Sequence, residues 1–271
     1  MSYSLKKQAA ESKARKFLFI VLGLSLILGI TFLVISPPSL DDNFCPVDRS
    51  KIKRHRFSML IDITSDLTNQ NKKIVNALVA DWTSNGIPSQ MLSIYSLNTS
   101  NIREFEDIDT ICTPPNALIL GFTYGQQRAN QRISQFKARI QDVVNQASLP
   151  THGKLTSSKI LESLRQITNG PSWISGSSRL ILISDLIEKS EFADFYNSNV
   201  PTFSNWLEKK SNKGLVDSIQ LSRGDKVQIC QLLTEKPSYE SRERAKQFWI
   251  DLIAYKGITE VFFTCNGIVR D

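Results

Sequence analysis

The chain has 271 residues, of which 41% are hydrophobic and 22% are charged, and its formal net charge is +7. These proportions are ordinary for a globular protein and allow one large or two small domains with a sizeable core. The charge does not indicate nucleic-acid binding, because the excess of basic over acidic residues lies in two short segments ahead of residue 57 that no aromatic residues interleave.

Residues 17–35 form an uninterrupted apolar stretch, close to the roughly 20 residues that a helix needs to cross a bilayer. A cleaved signal peptide would have a shorter apolar region followed by a small-residue cleavage pattern, whereas Ser36, Pro37 and Pro38 follow here. Residues 1–16 carry five basic residues against Glu11, and basic flanks stay cytoplasmic. We predict a single-pass protein of the inner (cell) membrane with a cytoplasmic N-terminus and a periplasmic or extracellular C-terminal domain.

Residues 36–56 are predicted to be a polar juxtamembrane linker. A polybasic cluster in it can bind anionic lipid or nucleic acid, or it can be a solvated connector. We favour the connector and expect no nucleic-acid partner. The cluster comprises Arg49, Lys51, Lys53, Arg54 and Arg56.

Beyond the linker, short apolar runs alternate with helical patterns. The predicted strands span 57–63, 90–97, 179–186, 226–233 and 260–265, with a short edge strand at 101–108. The predicted helices span 71–86, 129–147, 158–167 and 238–257, and a short amphipathic piece spans 203–210. The apolar segment 111–127 lacks a diagnostic period, so strand and loop both stay open there.

Strands that are almost continuously apolar and that alternate with helices are typical of a parallel sheet covered on both faces. The sequence therefore predicts an α/β fold, with one doubly wound, mostly parallel and Rossmann-like sheet over residues 57–271, preceded by the transmembrane helix.

All four cysteines lie beyond the apolar stretch, in an oxidising space if the predicted topology holds. None shows C-x-x-C spacing, so we do not expect structural zinc. Four cysteines can form two disulfides in three alternative pairings, and the spacing does not decide between them. A bond between Cys230, in the middle of a predicted strand, and Cys265, at the end of another, would demand strained geometry. Free buried cysteines are the other alternative.

Two predicted strands end in aspartate, in the segments MLIDITSD and LILISDL. Ligands of open α/β sheets bind beyond the carboxyl ends of the strands. If the two strands are neighbours, Asp62 and Asp185 converge and their mutual repulsion favours a cation between them. Hydroxyls from Thr64 and Ser158 would complete an all-oxygen shell of the kind that hard divalent ions accept.

The order of these motifs resembles the von Willebrand factor A domain and its metal-ion-dependent adhesion site. That family has Asp-x-Ser-x-Ser after a strand, a Thr or Ser at the start of a helix, and an Asp after a later strand. The resemblance implies Asp62, Thr64, Ser158 and Asp185 as metal ligands. It also implies a bound divalent metal, Mg²⁺ first with Ca²⁺ and Mn²⁺ as alternatives.

Asp66 departs from the pattern, because the family has a serine at that place. This carboxylate either coordinates the metal directly or caps the following helix. Thr156, Ser157 and Ser158 are consecutive hydroxyl residues, and the spacing favours Ser158 as the ligand. A helix N-cap is an alternative role for the same residues.

More narrowly, the chain is similar to bacterial A-domain-like proteins with a C-x-P sequence after the second strand, here Cys112 to Pro114, and a Phe-Trp pair in the last helix, here Phe248 and Trp249. We expect the aromatic pair to pack in the core. The family's third strand runs antiparallel to its second, which would bring Cys112 towards Cys45 and implies a bond between them.

The resemblance implies a protein-interaction module in which the metal binds an acidic side chain of a protein partner within an envelope-associated assembly. A metal-independent structural subunit is the first alternative, and a metal-dependent phosphohydrolase is the second. We expect no enzyme, because the chain has only His55 and His152 and no Gly-rich phosphate loop, and residue 64 is Thr where a second acid would be needed.

Overall fold

The computed structural model describes residues 19–26, 39–48, 50, 52, 56–62, 68–97, 107–147, 157–196, 200–234 and 238–269. The strands are β1 (Arg56–Asp62), β2 (Met91–Leu97), β3 (Asp107–Cys112), β4 (Ser178–Ser184), β5 (Lys226–Gln231) and β6 (Val261–Phe263). Residues 19–26 lie in a helix, α1. The further helices are α2 (Asn69–Asn85), α3 (Ala117–Tyr124), α4 (Gln126–Ala147), α5 (Ile160–Asn169), α6 (Phe203–Leu207), α7 (Lys210–Ser218) and α8 (Tyr239–Tyr255).

The strands form one six-stranded sheet in the order β3-β2-β1-β4-β5-β6. All neighbours are parallel except β3, which runs antiparallel to β2. The α/β class and the mostly parallel sheet are therefore confirmed. We call the edge at which β1, β2, β4 and β5 end the carboxyl edge, and the edge at which they begin the amino edge.

Hydrophobic cores on both faces of the sheet hold the strands in place. In β1, Phe57, Met59 and Ile61 enter one core, with residues of α2 and α4. Leu60, between them, enters the other core, with residues of α5, α6, α7 and α8. Successive side chains of a strand point to opposite faces, so a strand buried on both faces must be apolar almost throughout. Strand β1 is apolar at Phe57 and from Met59 to Ile61, and its buried Ser58 is small.

Local signals set several helix ends. The Thr68 hydroxyl accepts a hydrogen bond from Asn71 N–H (3.1 Å) and caps α2, and Ser238 caps α8 in the same way. Gly125 has φ +83°, which ends α3 and lets α4 begin at the next residue. This glycine makes α3 and α4 a tight helical hairpin.

The largest differences between the predicted elements and the structure lie in four places. The third strand is an edge strand, as predicted, but it extends to Cys112 (Asp107–Cys112), and residues 101–106 of the predicted strand 101–108 lie outside the described part. The segment 111–127, for which strand and loop both stayed open, contains the helix α3. Helix α5 begins at Ile160 rather than at Ser157 or Ser158, and α7 was not predicted. The Phe-Trp pair of α8 is buried, as expected.

Residues 39–48, within the predicted linker, pack against the domain. Cys112 N–H donates to the Asn43 carbonyl (3.0 Å), and Cys45 forms a disulfide with Cys112 at the amino edge. The pairing implied by the resemblance is confirmed. Within the described residues no helix is sufficiently long and apolar to cross a bilayer, and most of the predicted span 17–35 lies outside them.

Cys230 is bonded to Cys265, so the expectation that geometry disfavours this pair was wrong. Strand β6 ends at Phe263, and Cys265 therefore lies beyond the strand rather than at its end. Thr264 N–H donates to the Ile229 carbonyl (3.1 Å), which holds the chain beside β5 as it turns. The two Cα atoms are 4.7 Å apart, within the ordinary range for a disulfide.

We predict that replacing Cys45 and Cys112 together by alanine lowers the free energy of unfolding by about 2–4 kcal/mol. Their bond joins positions 67 residues apart, and opening it frees a long loop in the unfolded chain. Urea unfolding followed by tryptophan fluorescence measures the loss. Reductant should destabilise this variant further by opening Cys230–Cys265, and a variant as stable as the parent protein would contradict the prediction.

Candidate functional site

Asp62 is the last residue of β1 and lies at the carboxyl edge, where it is 3% exposed. Its Oδ2 accepts a hydrogen bond from Ser184 Oγ (2.8 Å) and another from Ser158 Oγ (3.2 Å). These hydroxyls come from the end of β4 and from the segment before α5. The carboxylate of Asp62 therefore joins three separate parts of the chain.

Asp185 follows β4 directly and is 4% exposed. Its Oδ1 accepts a hydrogen bond from Ile187 N–H (3.1 Å), and its Oδ2 accepts one from the Thr234 hydroxyl (3.3 Å). Thr234 lies just beyond β5. The carboxyl ends of β1, β4 and β5 thus all contribute polar groups to one place.

The two carboxyl groups meet because β1 and β4 are neighbours, as the predicted site requires. Ile61 pairs with Ile183 in parallel register, so Asp62 lies one residue beyond this pair and Asp185 lies two residues beyond it. Burial raises the pKa of Asp185 to about 7, and the negative charge of Asp62 adds to the rise. At neutral pH it is therefore unfavourable for Asp185 to be ionised beside Asp62 unless a positive charge lies nearby.

The backbone after Asp185 is held in an unusual turn. Leu186 has φ +66°, a left-handed conformation that costs energy for a residue with a side chain. Its N–H donates to Ser184 Oγ (2.8 Å), and its carbonyl accepts a hydrogen bond from the Trp249 indole of α8 (2.9 Å). Both contacts fix the turn that presents the Asp185 carboxyl group.

Ser158 reaches Asp62 from an extended segment, since α5 begins two residues later. This segment pairs antiparallel with the chain at Lys189. Ser158 N–H donates to the Lys189 carbonyl (3.0 Å), and Lys189 N–H donates to the Ser158 carbonyl (2.7 Å). The backbone of Ser158 is therefore held by two hydrogen bonds, which leaves its hydroxyl to donate to the carboxylate of Asp62.

Glu188 supplies the cap of α5 from a distant part of the chain. The N-cap residue, Lys159, makes no side-chain capping hydrogen bond, and Glu188 Oε2 instead accepts from Leu161 N–H (3.0 Å). Glu188 is fully buried, and its Oε1 has no hydrogen-bond partner. Burial raises the pKa of Glu188 to about 8, while hydrogen bonds from Ser190 and Leu161 oppose the rise.

The charges of Asp62 and Asp185 also affect the side chain of Tyr196. Burial, and then the charges of Asp185 and Asp62, raise the pKa of its hydroxyl to about 12. The Lys189 ammonium lies 5.5 Å from the centre of the Tyr196 ring. A phenol therefore lies close enough to the site to be affected by its negative charge, and the ammonium of Lys189 lies over the ring of that phenol.

The structure brings together Asp62, Ser158 and Asp185 of the predicted ligands. Thr64 and Asp66 lie outside the described residues, as do His55 and His152. The helix-capping role considered for Asp66 is performed at Asn71 N–H by Thr68. In the part of the chain that is described, no group of three or more His, Cys, Asp or Glu side chains could hold a metal ion.

Sequence reasoning missed four residues around this pair. Ser184 and Thr234 could have been found, because both lie where a strand reaches the carboxyl edge. Glu188 and Trp249 had no such signal, since each acts through a contact between segments far apart in the chain.

The donor set described here suits a hard cation. It consists of oxygen atoms alone, from two carboxyl groups and the hydroxyls of Ser158, Ser184 and Thr234. Divalent ions such as Mg²⁺, Ca²⁺ and Mn²⁺ prefer oxygen ligands. The repulsion that raises the pKa of Asp185 would be relieved by a positive charge between the carboxylates.

No family model matches the chain, and no curated protein matches it. Solved structures that match include the human COPII-coat protein Sec24c, at 10% sequence identity and a TM-score of 0.37. That match covers 87% of this chain and 30% of the other, so the chain spans about a third of the length of Sec24c. A likeness this weak carries no argument about fold or function.

We predict that, in the presence of a chelator, stability falls as pH rises from about 4 to about 7. The ordinary pKa of Asp185 is 3.8 and its folded value is about 7, so the native protein holds more protons than the unfolded chain across that window. Asp185→Asn should remove this part of the slope and should be more stable than the parent at pH 7. Urea unfolding across pH measures both.

The matched control is Asp142→Asn on the exposed side of α4, which changes the formal charge equally. Its pH profile should follow that of the parent protein. A profile of Asp185→Asn with the same slope as that of the parent over this window would contradict the raised pKa of Asp185.

A second prediction concerns the cap of α5. Glu188→Ala leaves the Leu161 N–H buried without an acceptor, and we expect it to lower the free energy of unfolding by roughly 1–3 kcal/mol. Glu188→Gln keeps an acceptor oxygen and removes the buried titration, so it should be at least as stable as the parent above pH 8. Equal losses for the two variants would show that the cap does not act as described.

Proposed function

We propose that this chain is a membrane-anchored, von Willebrand factor A-like interaction module without catalytic activity. A divalent cation at the carboxyl edge would bind an acidic side chain of a protein partner in a bacterial envelope-associated assembly. The observation that carries the proposal is the convergence of Asp62 and Asp185, both buried, on neighbouring strands with hydroxyl groups around them.

The residues that would hold the cation are Asp62, Ser158 and Asp185, joined by Thr64 and Asp66 from the segment after β1. When bound, the cation would supply positive charge to a carboxylate of the partner. The chain's own groups set the selectivity of the site. Tyr196 and Lys189 lie at its side and would contact whatever approaches the pair.

Two observations beyond the site agree with the resemblance. Strand β3 is the antiparallel strand and lies beside β2. Cys45 is bonded to Cys112, the pair that this arrangement brings together. Both support the family assignment independently of the metal ligands.

A metal-independent structural subunit is the second candidate, and the burial of the site favours it. Asp185, with a pKa of about 7, can carry a proton at neutral pH, and a proton relieves the repulsion from Asp62 as a cation would. In that case the carboxyl edge is a polar part of the core, held by Ser158, Ser184 and Thr234.

Metal titration separates the two candidates. We predict that Mg²⁺, Ca²⁺ or Mn²⁺ raises the melting temperature of the protein at pH 7.5, because a ligand that binds only the native state stabilises it by about 2.7 kcal/mol at 100 times its Kd. Asp185→Ala should fold and lose the response. The absence of any shift in the parent protein would support the metal-independent subunit.

Asp225→Asn is the matched control for this titration. Asp225 is also a buried carboxyl group with a raised pKa, but it accepts hydrogen bonds from Ser178 and Ser222 at the amino edge. Its replacement should lower the melting temperature and leave the metal response in place. If Asp225→Asn abolished the response as well, the loss in Asp185→Ala could not be assigned to the carboxyl edge.

Partner capture is the direct test of the function. Pull-down of the anchored protein with and without chelator, with Asp185→Ala alongside, identifies proteins that depend on the cation. The proposal expects a partner that is lost both with chelator and with the variant. A partner retained in all three samples would count against a cation-mediated contact.

A further inference from the structure

Helix α3 exposes large apolar side chains at the amino edge. Leu118 is 65% exposed and Phe122 is 72% exposed, and they lie four residues apart, on one face of the helix. Leu120 is buried between them. The domain therefore covers one side of α3 and leaves an apolar side open.

The helical hairpin of α3 and α4 extends from the amino edge. Strand β3 ends at that edge, where Cys112 pairs with Met91, the first residue of β2. In α4, Ala129 is the one buried residue before Phe136, which begins the contact with the core beside β1. The first turns of α4 thus pack on α3 rather than on the sheet.

Ahead of Asp142 in α4, the hairpin carries positive charge and no negative charge. Between Cys112 and Asp142 the sequence has no Asp or Glu, and it has Arg128, Arg132, Lys137 and Arg139. Arg132 lies 4.5 Å from the centre of the Tyr124 ring at the end of α3. Arg128 is exposed one turn earlier on the same helix face. The helix that packs against α3 therefore carries basic side chains.

The same edge receives the chain from the predicted anchor. Cys45 is bonded to Cys112, five residues before α3 begins. Ten residues separate position 35 from Cys45, a reach of at most roughly 35 Å. Arg56, the last residue of the basic cluster, is the first residue of β1 and so also lies at the amino edge.

We propose that Leu118 and Phe122 of α3 insert into the surface of an anionic bilayer, with Arg128 and Arg132 at the lipid headgroups. Exposed apolar side chains next to basic ones suit the membrane interface, and a tether holds them close to it. This inference rests on the membrane anchor of the proposed function. It would place the carboxyl edge on the side of the domain away from the membrane.

Site-specific fluorescence in vesicles tests the contact. The four native cysteines are paired, so Leu118→Cys or Phe122→Cys in the full chain provides one thiol for a polarity-sensitive dye. The matched control is Leu233→Cys, 70% exposed and just beyond β5 at the carboxyl edge. The probe membranes are vesicles of phosphatidylethanolamine and phosphatidylglycerol that contain acyl-chain quenchers.

The expected result is a blue-shifted emission and strong quenching at positions 118 and 122, and neither at 233. Arg128→Gln with Arg132→Gln should reduce the quenching severalfold without releasing the chain from the vesicles. Quenching at 118 and 122 no greater than at 233 would overturn the inference, as would a blue shift that appears only when another protein is added.

Flotation of the same vesicles distinguishes the possible failures. If the chain floats with the vesicles while the dyes at positions 118 and 122 show the emission of an aqueous environment, the bilayer contact is wrong and the membrane anchor is supported. A chain that does not float overturns both the anchor and the contact. The metal titration of Asp185→Ala is independent of either result, because it concerns the opposite edge of the sheet.

Discussion

The parallel pairing of β1 with β4 is the constraint on which the site depends. Both strands are buried along almost their whole length, and their side chains alternate between two hydrophobic cores. A slip of one residue would move every side chain to the other face of the sheet, so the apolar residues fix the register. The same register places Asp62 and Asp185 together, although their repulsion opposes that placement.

Hydrogen bonds hold the described groups around the two carboxyl groups in place. Ser184 contacts both Asp62 and the backbone of Leu186, and Trp249 holds the Leu186 carbonyl from α8. On the other side, Glu188 fixes the start of α5, and the pairing at Lys189 fixes Ser158. A ligand that enters such a site meets groups already in position, which lowers the entropy cost of binding.

The sequence was most informative where burial is continuous. The runs around β1, β4 and β5 are long and apolar, so the strands and the aspartates at their ends could be predicted. Helix α3 could not, because its apolar residues include Leu118 and Phe122, which face away from the core and remove any helical period.

Features that arise from contacts between distant segments could not be predicted from local signals. The start of α5 was placed too early, because its cap comes from Glu188, 27 residues along the chain, rather than from a local serine. The Cys230–Cys265 bond was missed because it depends on where β6 stops. In each case the information lies in the folded arrangement rather than in neighbouring residues.

The bond between Cys45 and Cys112 has a mechanical consequence. A pulling force transmitted from the N-terminal side reaches Cys45 and passes through the sulfur atoms to the end of β3. The loop that the bond closes contains β1 and β2, and tension along the chain cannot lengthen it while the bond is intact. Tension applied at Cys45 is therefore carried first by the disulfide and the end of β3 rather than by the segment that leads into β1.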